Sequence, residues 1–194
     1  AVLMMITLAG VATVPFISKL ATKADKKDVF KNVLGICGIL MIASKFIGVD
    51  SMAVLIAVCL IYALANACYW QLMPSMIYDV CEVEELISGE KRSGAVISLQ
   101  ALSESISIAV GLQMLGIILE AAGFDSDAAV QSDTALAWVE NSLVVIPGAA
   151  MVCVALIMRK FTITKELFNK VKDALERRKR GEDVSIDEYV EIFE

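Results

Sequence analysis

Residues 51–78 read SMAVLIAVCLIYALANACYWQLMPSMIY, a run without one charged side chain. A soluble amphipathic helix keeps a solvated face, so charge returns every third or fourth residue. A helix that is apolar all round belongs instead in a bilayer, whose hydrocarbon core takes about 20 helical residues to cross. Outward from this run, further apolar stretches cover residues 1–22, 29–49, 93–123 and 136–158. Together with 51–77 they predict five spans.

Charge placement orders these spans. Every Lys and Arg except Lys45 falls in one of three clusters, at 19–31, 91–92 and 159–180, which follow spans 1, 3 and 5. The loops after spans 2 and 4 carry Asp50, Asp125, Asp127 and Asp133 and no base. The positive-inside rule assigns the first set to the cytoplasm. An odd number of spans then puts residue 1 outside and the tail in the cytoplasm. A hydrophobic share of 58% and a mean hydropathy of +0.71 agree, since soluble domains hold roughly 45–50% apolar residues. The net charge of −6 averages a basic surface with acidic loops and an acidic tail, and gives no support to nucleic acid binding. The chain opens inside an apolar run with neither an initiator Met nor a basic leader, so it reads as a fragment rather than a processed precursor.

Catalysis has few candidates. There is no His, which excludes HExxH metal chemistry and Ser-His nucleophiles for this chain. Cys37, Cys59, Cys68, Cys81 and Cys153 form no CxxC pair and read as small apolar packing residues.

Taken in order, span 1 ends within the stretch Pro15 to Lys27, where Pro15 is expected to loosen the last turns and the basic cluster to meet the inner leaflet. Lys45, near the outer end of span 2, is expected to snorkel to the headgroups as an anchor. Span 3 bears Asn66, Tyr69, Trp70 and Gln71, with a bend at Pro74. Trp70 fits either an interfacial belt or a platform inside a cavity. In span 4, Gln100, Ser103, Glu104 and Ser107 stand at i, i+3, i+4 and i+7 and therefore share one face. A carboxylate at bilayer depth costs about 2.5–3.5 kcal/mol, so Glu104 must face a partner, a polar cavity or a proton. Its readings are a structural group between helices, or a ligand and coupling site that carries H⁺. Gly111 and Gly116 would permit close packing. Span 5 contains Pro147-Gly148, a predicted kink. Beyond it, Leu167, Phe168, Val171 and Leu175 form the apolar stripe of a helix expected to lie on the inner leaflet, ended by Gly181. Ser185 to Glu188 reads as a capping box, with Val184 stapled to Tyr189, opening a last acidic helix; a disordered tail is the alternative. The chain thus divides into a transmembrane part, 1–160, and a cytoplasmic tail, 161–194.

Asp79-Val-Cys-Glu-Val-Glu-Glu-Leu-Ile-Ser-Gly-Glu-Lys-Arg-Ser-Gly94, read as the loop between spans 3 and 4, resembles a signature of the glycoside-pentoside-hexuronide:cation symporters. These are the melibiose-permease-like branch of the major facilitator superfamily. The family pattern is D-V-x-D-Y-x-E-x-x-T-G-x-R-x-E-G-x-x-F-S. Asp79, Val80, Glu85, Gly89, Gly94 and Ser98 match it, with Glu82 for Asp, Ser88 for Thr and Lys91 for Arg. Val83 and Ser93 stand where the family has Tyr and a second Glu. Pro15, Leu20, Lys26 and Lys27 similarly resemble the family's P-x-x-x-x-L-x-x-x-x-x-K-K loop. In that register the chain resembles the C-terminal half: an all-α membrane protein whose five transmembrane helices correspond to helices 8 to 12 of a twelve-helix major facilitator fold, followed by cytoplasmic tail helices.

The resemblance implies a secondary transporter in a bacterial cytoplasmic membrane, moving a sugar or glycoside with Na⁺ or H⁺ by alternating access, with no enzyme activity and no bound cofactor. The coupling-ion ligands would lie on the N-terminal half of the same transporter, which would be this chain's partner alongside the lipid bilayer. Trp70 and Gln100 fall where the family lines its sugar site, and Asn66 and Glu104 join them as candidate substrate residues. Ser105, which occupies the position of a family Lys, is a further candidate substrate residue, and Glu104 beside it is also the candidate coupling residue. Asp79, Glu82 and Glu85 are candidate gate latches that would pair with Lys91, Arg92 or the basic stretch at Lys19 and Lys23. A transporter for a non-sugar substrate, or a membrane scaffold or sensor that keeps the fold without transport, is the competing reading.

Overall fold

In a computed structural model the chain is described over residues 2–48, 51–128, 130–182, 184 and 189, with the side chains of residues 2–9 excluded. Among the described residues seven α-helices run α1 (Val2–Lys23), α2 (Lys26–Ile47), α3 (Met52–Ser88), α4 (Ser93–Ala121), α5 (Asp133–Leu143), α6 (Val145–Ile157) and α7 (Lys165–Lys179), with one 3-10 turn at Met158–Lys160. Four stretches among the described residues are long and apolar enough to cross a membrane: α2, α3, α4 and the broken helix from Asp133 to Lys160. α1, another 22-residue apolar helix, stands beside them against α3.

Several boundaries differ from expectation, each for a local reason. Pro15 leaves α1 unbroken to Lys23, and Pro74 leaves α3 unbroken from Met52 to Ser88. The segment after Asp79, expected as a loop, is the last part of that 37-residue helix. It holds neither Gly nor Pro before Gly89, and Val80, Val83, Leu86 and Ile87 recur at helical spacing. Gly89 ends it in the left-handed region at φ 75°, donating its N–H to the Glu85 carbonyl at 3.0 Å. The break in the last span falls at Val144, before Pro147. A proline three residues into a helix has no N–H for the carbonyl of Leu143 and crowds it, so the chain divides there into α5 and α6.

The packing is layered along the bundle. A central cluster joins α1, α2, α3 and α6 through Ile17, Val29, Phe30, Leu34, Cys68, Leu72, Met76 and Ala155. Met41, Val58 and Val144 close the end near Glu140. There Lys45, expected to snorkel, instead donates to Glu140 at 2.5 Å and ties α2 to α5. At the opposite, basic end, Val83 and Leu86 of α3 meet Ile163 and the α7 residues Val171, Ala174 and Leu175. The apolar face of α7, expected on lipid, is therefore buried on protein, because the long α3 projects far enough to receive it. Gly181, at φ 81°, follows α7, and Arg177 with Arg180 holds the Glu182 carboxyl below the usual carboxylate range by hydrogen bonds of 2.8 and 2.9 Å. Val184 and Tyr189 pack against the same cluster, while the expected capping box at 185–188 lies outside the described residues.

α4 is the exception. It meets α3 and α5 but contributes no buried residue, and its large apolar side chains, among them Leu99, Ile106 and Leu112, are exposed. No neighbour within 4 Å would meet a Cβ at Gly111 or Gly116, so neither serves close packing among the described residues.

Candidate functional site

α3 and α4 diverge from their joint near Gly89 and leave between them an open cleft of about 650 Å³. Asn66, Tyr69, Trp70 and Met73 line it from α3. Gln100, Ser103, Glu104 and Ser107 line it from α4, one helical face as their spacing requires. That volume lies within the range of small-molecule sites, roughly 300–1,000 Å³.

The chemistry on the two walls is complementary. Trp70 is exposed to the cleft and braced by Tyr69, their ring centroids 5.5 Å apart and nearly perpendicular. Its indole therefore presents an apolar surface held by a neighbour, with one N–H donor. Pro74 has no N–H for the carbonyl of Trp70, four residues back, so the backbone beside the ring has a spare acceptor. On α4, Ser103 and Ser107 donate to the carbonyls of Leu99 and Ser103 at 2.8 and 2.7 Å. Their donors are spent on the helix, and their lone pairs stay free to accept. Among the described residues, Gln100, Glu104 and Asn66 have no hydrogen-bonded side-chain partner, and Glu104 has no ion pair. Ser105 stands off the cleft, with its hydroxyl donating to the Ala101 carbonyl at 2.9 Å.

The basic end gathers a second set of groups. Asp79, almost fully buried, accepts two hydrogen bonds from Lys26 Nζ at 2.8 and 2.6 Å. Lys26 belongs to the basic stretch, but it is neither Lys19 nor Lys23, which make no ion pair among the described residues. Lys26 also sits 5.3 Å from the centroid of the Phe168 ring on α7. Glu85 lies 4.0 Å from Lys179, Arg92 pairs with its neighbour Glu90 at 2.8 Å, and Glu82 shares a 350 Å³ pocket with Lys91 without bonding it.

Sequence reasoning missed what holds α7 in place. Asp25 precedes α2 but makes no cap to it; its carboxylate accepts from the Lys165 N–H at 2.9 Å, beside Thr164, which accepts from Leu167. At the other end of α7, Arg178 donates to the Leu86 carbonyl at 2.8 Å, satisfying an orphan acceptor at the end of α3. The dibasic Lys26-Lys27 pair was the available signal, since Lys27 also reaches the Phe161 carbonyl at 3.3 Å.

Among the described residues every regular element is helical, several helices are apolar and of membrane length, and two of them line an open polar cleft, as befits an integral membrane protein. The sequence profile described as MFS/sugar transport protein matches residues 1–165, and the chain belongs to that family. It is 26% identical over 112 residues to an uncharacterized symporter of Synechocystis sp., a match covering 55% of this chain and 21% of the relative. The matched part is thus about a fifth of that relative's length. No solved structure matches the chain significantly.

Proposed function

We propose that this chain forms the C-terminal bundle of a secondary transporter that carries a sugar or glycoside together with a cation, its five apolar helices crossing the membrane with the basic end in the cytoplasm. The observation that carries this reading is the cleft in which an exposed indole faces a stripe of amide, carboxyl and hydroxyl groups. A sugar ring has apolar C–H faces and a rim of hydroxyls that both donate and accept. Trp70 would cover the face, while Gln100 and Asn66 would bond hydroxyls in either direction. Glu104 and the serine lone pairs would accept from the rest.

A second bundle, supplied by the remainder of the transporter, would close the open side of α4, and rocking of the two bundles would expose the cleft to each side in turn. Glu104 is the carboxyl that lines the cleft among the described residues, and we assign it the coupling proton. Uptake of labelled glycosides by the full-length transporter in vesicles, with an Na⁺ gradient, an H⁺ gradient or neither, tests the proposal. Gradient-dependent uptake of a glycoside is the expected result. Equal uptake under all three conditions would remove cation coupling, and no uptake of any glycoside would favour the scaffold reading.

A further inference from the structure

A groove on the outside of the bundle, away from the cleft, has the chemistry of a lipid site. It runs between α2 and α6 and is walled by Ile36, Ile39, Val152 and Leu156, with Lys31, Asn32 and Arg159 at its basic end. Its volume is about 250 Å³. Gly35 and Ala155 both line the groove, and a Cβ on Gly35 would stand 3.5 Å from the Ala155 Cβ, so a leucine there would fill space between the two walls. Ile36 and Ile39 are each 60% exposed, apolar surface that water would not favour.

We propose that this groove binds one anionic glycerophospholipid, with its phosphodiester on Arg159, Lys31 and Asn32 and an acyl chain laid along the isoleucines. Charge and length both fit. Lys31 shares its charge with Asp28 at 2.6 Å, whereas Arg159 has no ion pair among the described residues. Asp28, Lys31 and Arg159 together carry one net positive charge, matched by a single phosphodiester. The guanidinium offers paired donors to two phosphate oxygens. A zwitterionic lipid would bring its own cation towards the same two bases and is disfavoured. From Lys31 to Ile39 the helix rises about 12 Å, most of the ~15 Å hydrocarbon depth of one leaflet. Basic pockets between membrane helices at the cytoplasmic side are a known means of holding anionic headgroups. The proposal rests on the orientation given above, with the basic end of α2 at the cytoplasmic surface.

Native mass spectrometry of the full-length transporter, equilibrated with equal amounts of dioleoyl phosphatidylglycerol and dioleoyl phosphatidylcholine, reads the site directly. The wild type should retain phosphatidylglycerol in preference. Arg159→Gln should lower that retention roughly fivefold, and Lys31→Gln by less because Asp28 already shares its charge. Gly35→Leu should lower it with both bases in place, and Lys170→Gln, an exposed base on α7, should leave it unchanged. Retention unaltered in both Arg159→Gln and Gly35→Leu would overturn the proposal. So would an equal loss in Lys170→Gln, or displacement of the lipid by an equal concentration of soluble glycerophosphate. Glycoside uptake measured on the same preparations separates the two proposals, since lost uptake with the lipid retained counts against transport alone.

Discussion

Gly38 and Gly148 meet backbone to backbone where α2 crosses α6. A Cβ on Gly38 would stand 2.7 Å from the Gly148 carbonyl oxygen, and one on Gly148 would stand 2.9 Å from the Gly38 carbonyl oxygen. Each glycine is needed because of the other, and the close approach lets Met41 and Val144 fill the layer beside it. Small residues at such crossings replace the hydrophobic drive that lipid cannot supply.

Gly38→Ala and Gly148→Ala should therefore each destabilise the full-length transporter by about 1–3 kcal/mol, because backbone atoms rather than flexible side-chain ends must move. Gly35→Ala, whose Cβ would make an ordinary 3.5 Å contact, is the control. Thermal midpoints in detergent check the order. A Gly38→Ala protein as stable as Gly35→Ala would show that the crossing is looser than described.

The Lys26–Asp79 pair is asymmetric in a measurable way. The Asp79 side chain is 11% exposed and that of Lys26 33%. Removing the lysine leaves a carboxylate among buried groups, while removing the aspartate leaves an amine that can turn to water. Lys26→Ala should thus cost more stability than Asp79→Ala, with a coupling energy above about 1 kcal/mol in the double-mutant cycle. Equal single costs and no coupling would reduce the pair to two independent surface charges.

Arg178 and Gly89 join α7 to the end of α3. Arg178→Ala removes a charged donor from the Leu86 carbonyl and should loosen α7 by about 1 kcal/mol. Gly89→Ala forces a side chain into the left-handed region at a further cost of about 1–2 kcal/mol, with its Cβ 3.0 Å from the Arg178 guanidinium. Hydrogen exchange of the α7 amides should speed up in both, and unchanged protection would place the hold on α7 in its apolar face alone.

The long apolar helices were legible because apolar length is a property of consecutive residues, as in 51–78. So was the stripe on α4, since Gln100, Ser103, Glu104 and Ser107 are tied to one face by helical geometry whatever surrounds them. The register around Asp79 to Ser88 was harder to read. Its charged residues suggest a solvated loop, yet Val83 and Leu86 make it a helix once α7 lies against them, and that contact joins positions about 90 apart in the chain. Asp25 hides its role in the same way: it has the composition of a cap for α2, but its acceptor serves α7. Ser105, also a candidate from the sequence, stands one residue and so about 100° around the helix from Glu104, which sets its side chain off the lining of the cleft.

For the cleft, Gln100→Ala should weaken glycoside binding roughly ten- to a hundredfold, the cost of leaving ligand hydroxyls unpaired once a second bundle closes the open side. Ser105→Ala should have no effect on binding, since its hydroxyl is bonded to Ala101 off the cleft. Calorimetric titration of the full-length transporter distinguishes them. A larger effect from Ser105 than from Gln100 would move the substrate to another face of α4.

Glu104 supplies the last test. It lines the cleft beside Gln100, has no cationic partner among the described residues, and in the proposal above is the group that carries the coupling proton. If that proton travels with substrate, Glu104→Gln keeps the side chain's shape and one acceptor while removing the exchangeable charge. The expected result is substrate binding within a fewfold of wild type, together with loss of substrate-driven alkalinisation of the medium by vesicles or cells bearing the full-length protein. Proton movement equal to wild type would take Glu104 out of coupling and leave it as a hydrogen-bond acceptor for the ligand. Loss of binding and proton movement together would make it a substrate ligand first, and Na⁺-driven uptake surviving in Glu104→Gln would assign coupling to residues outside this bundle.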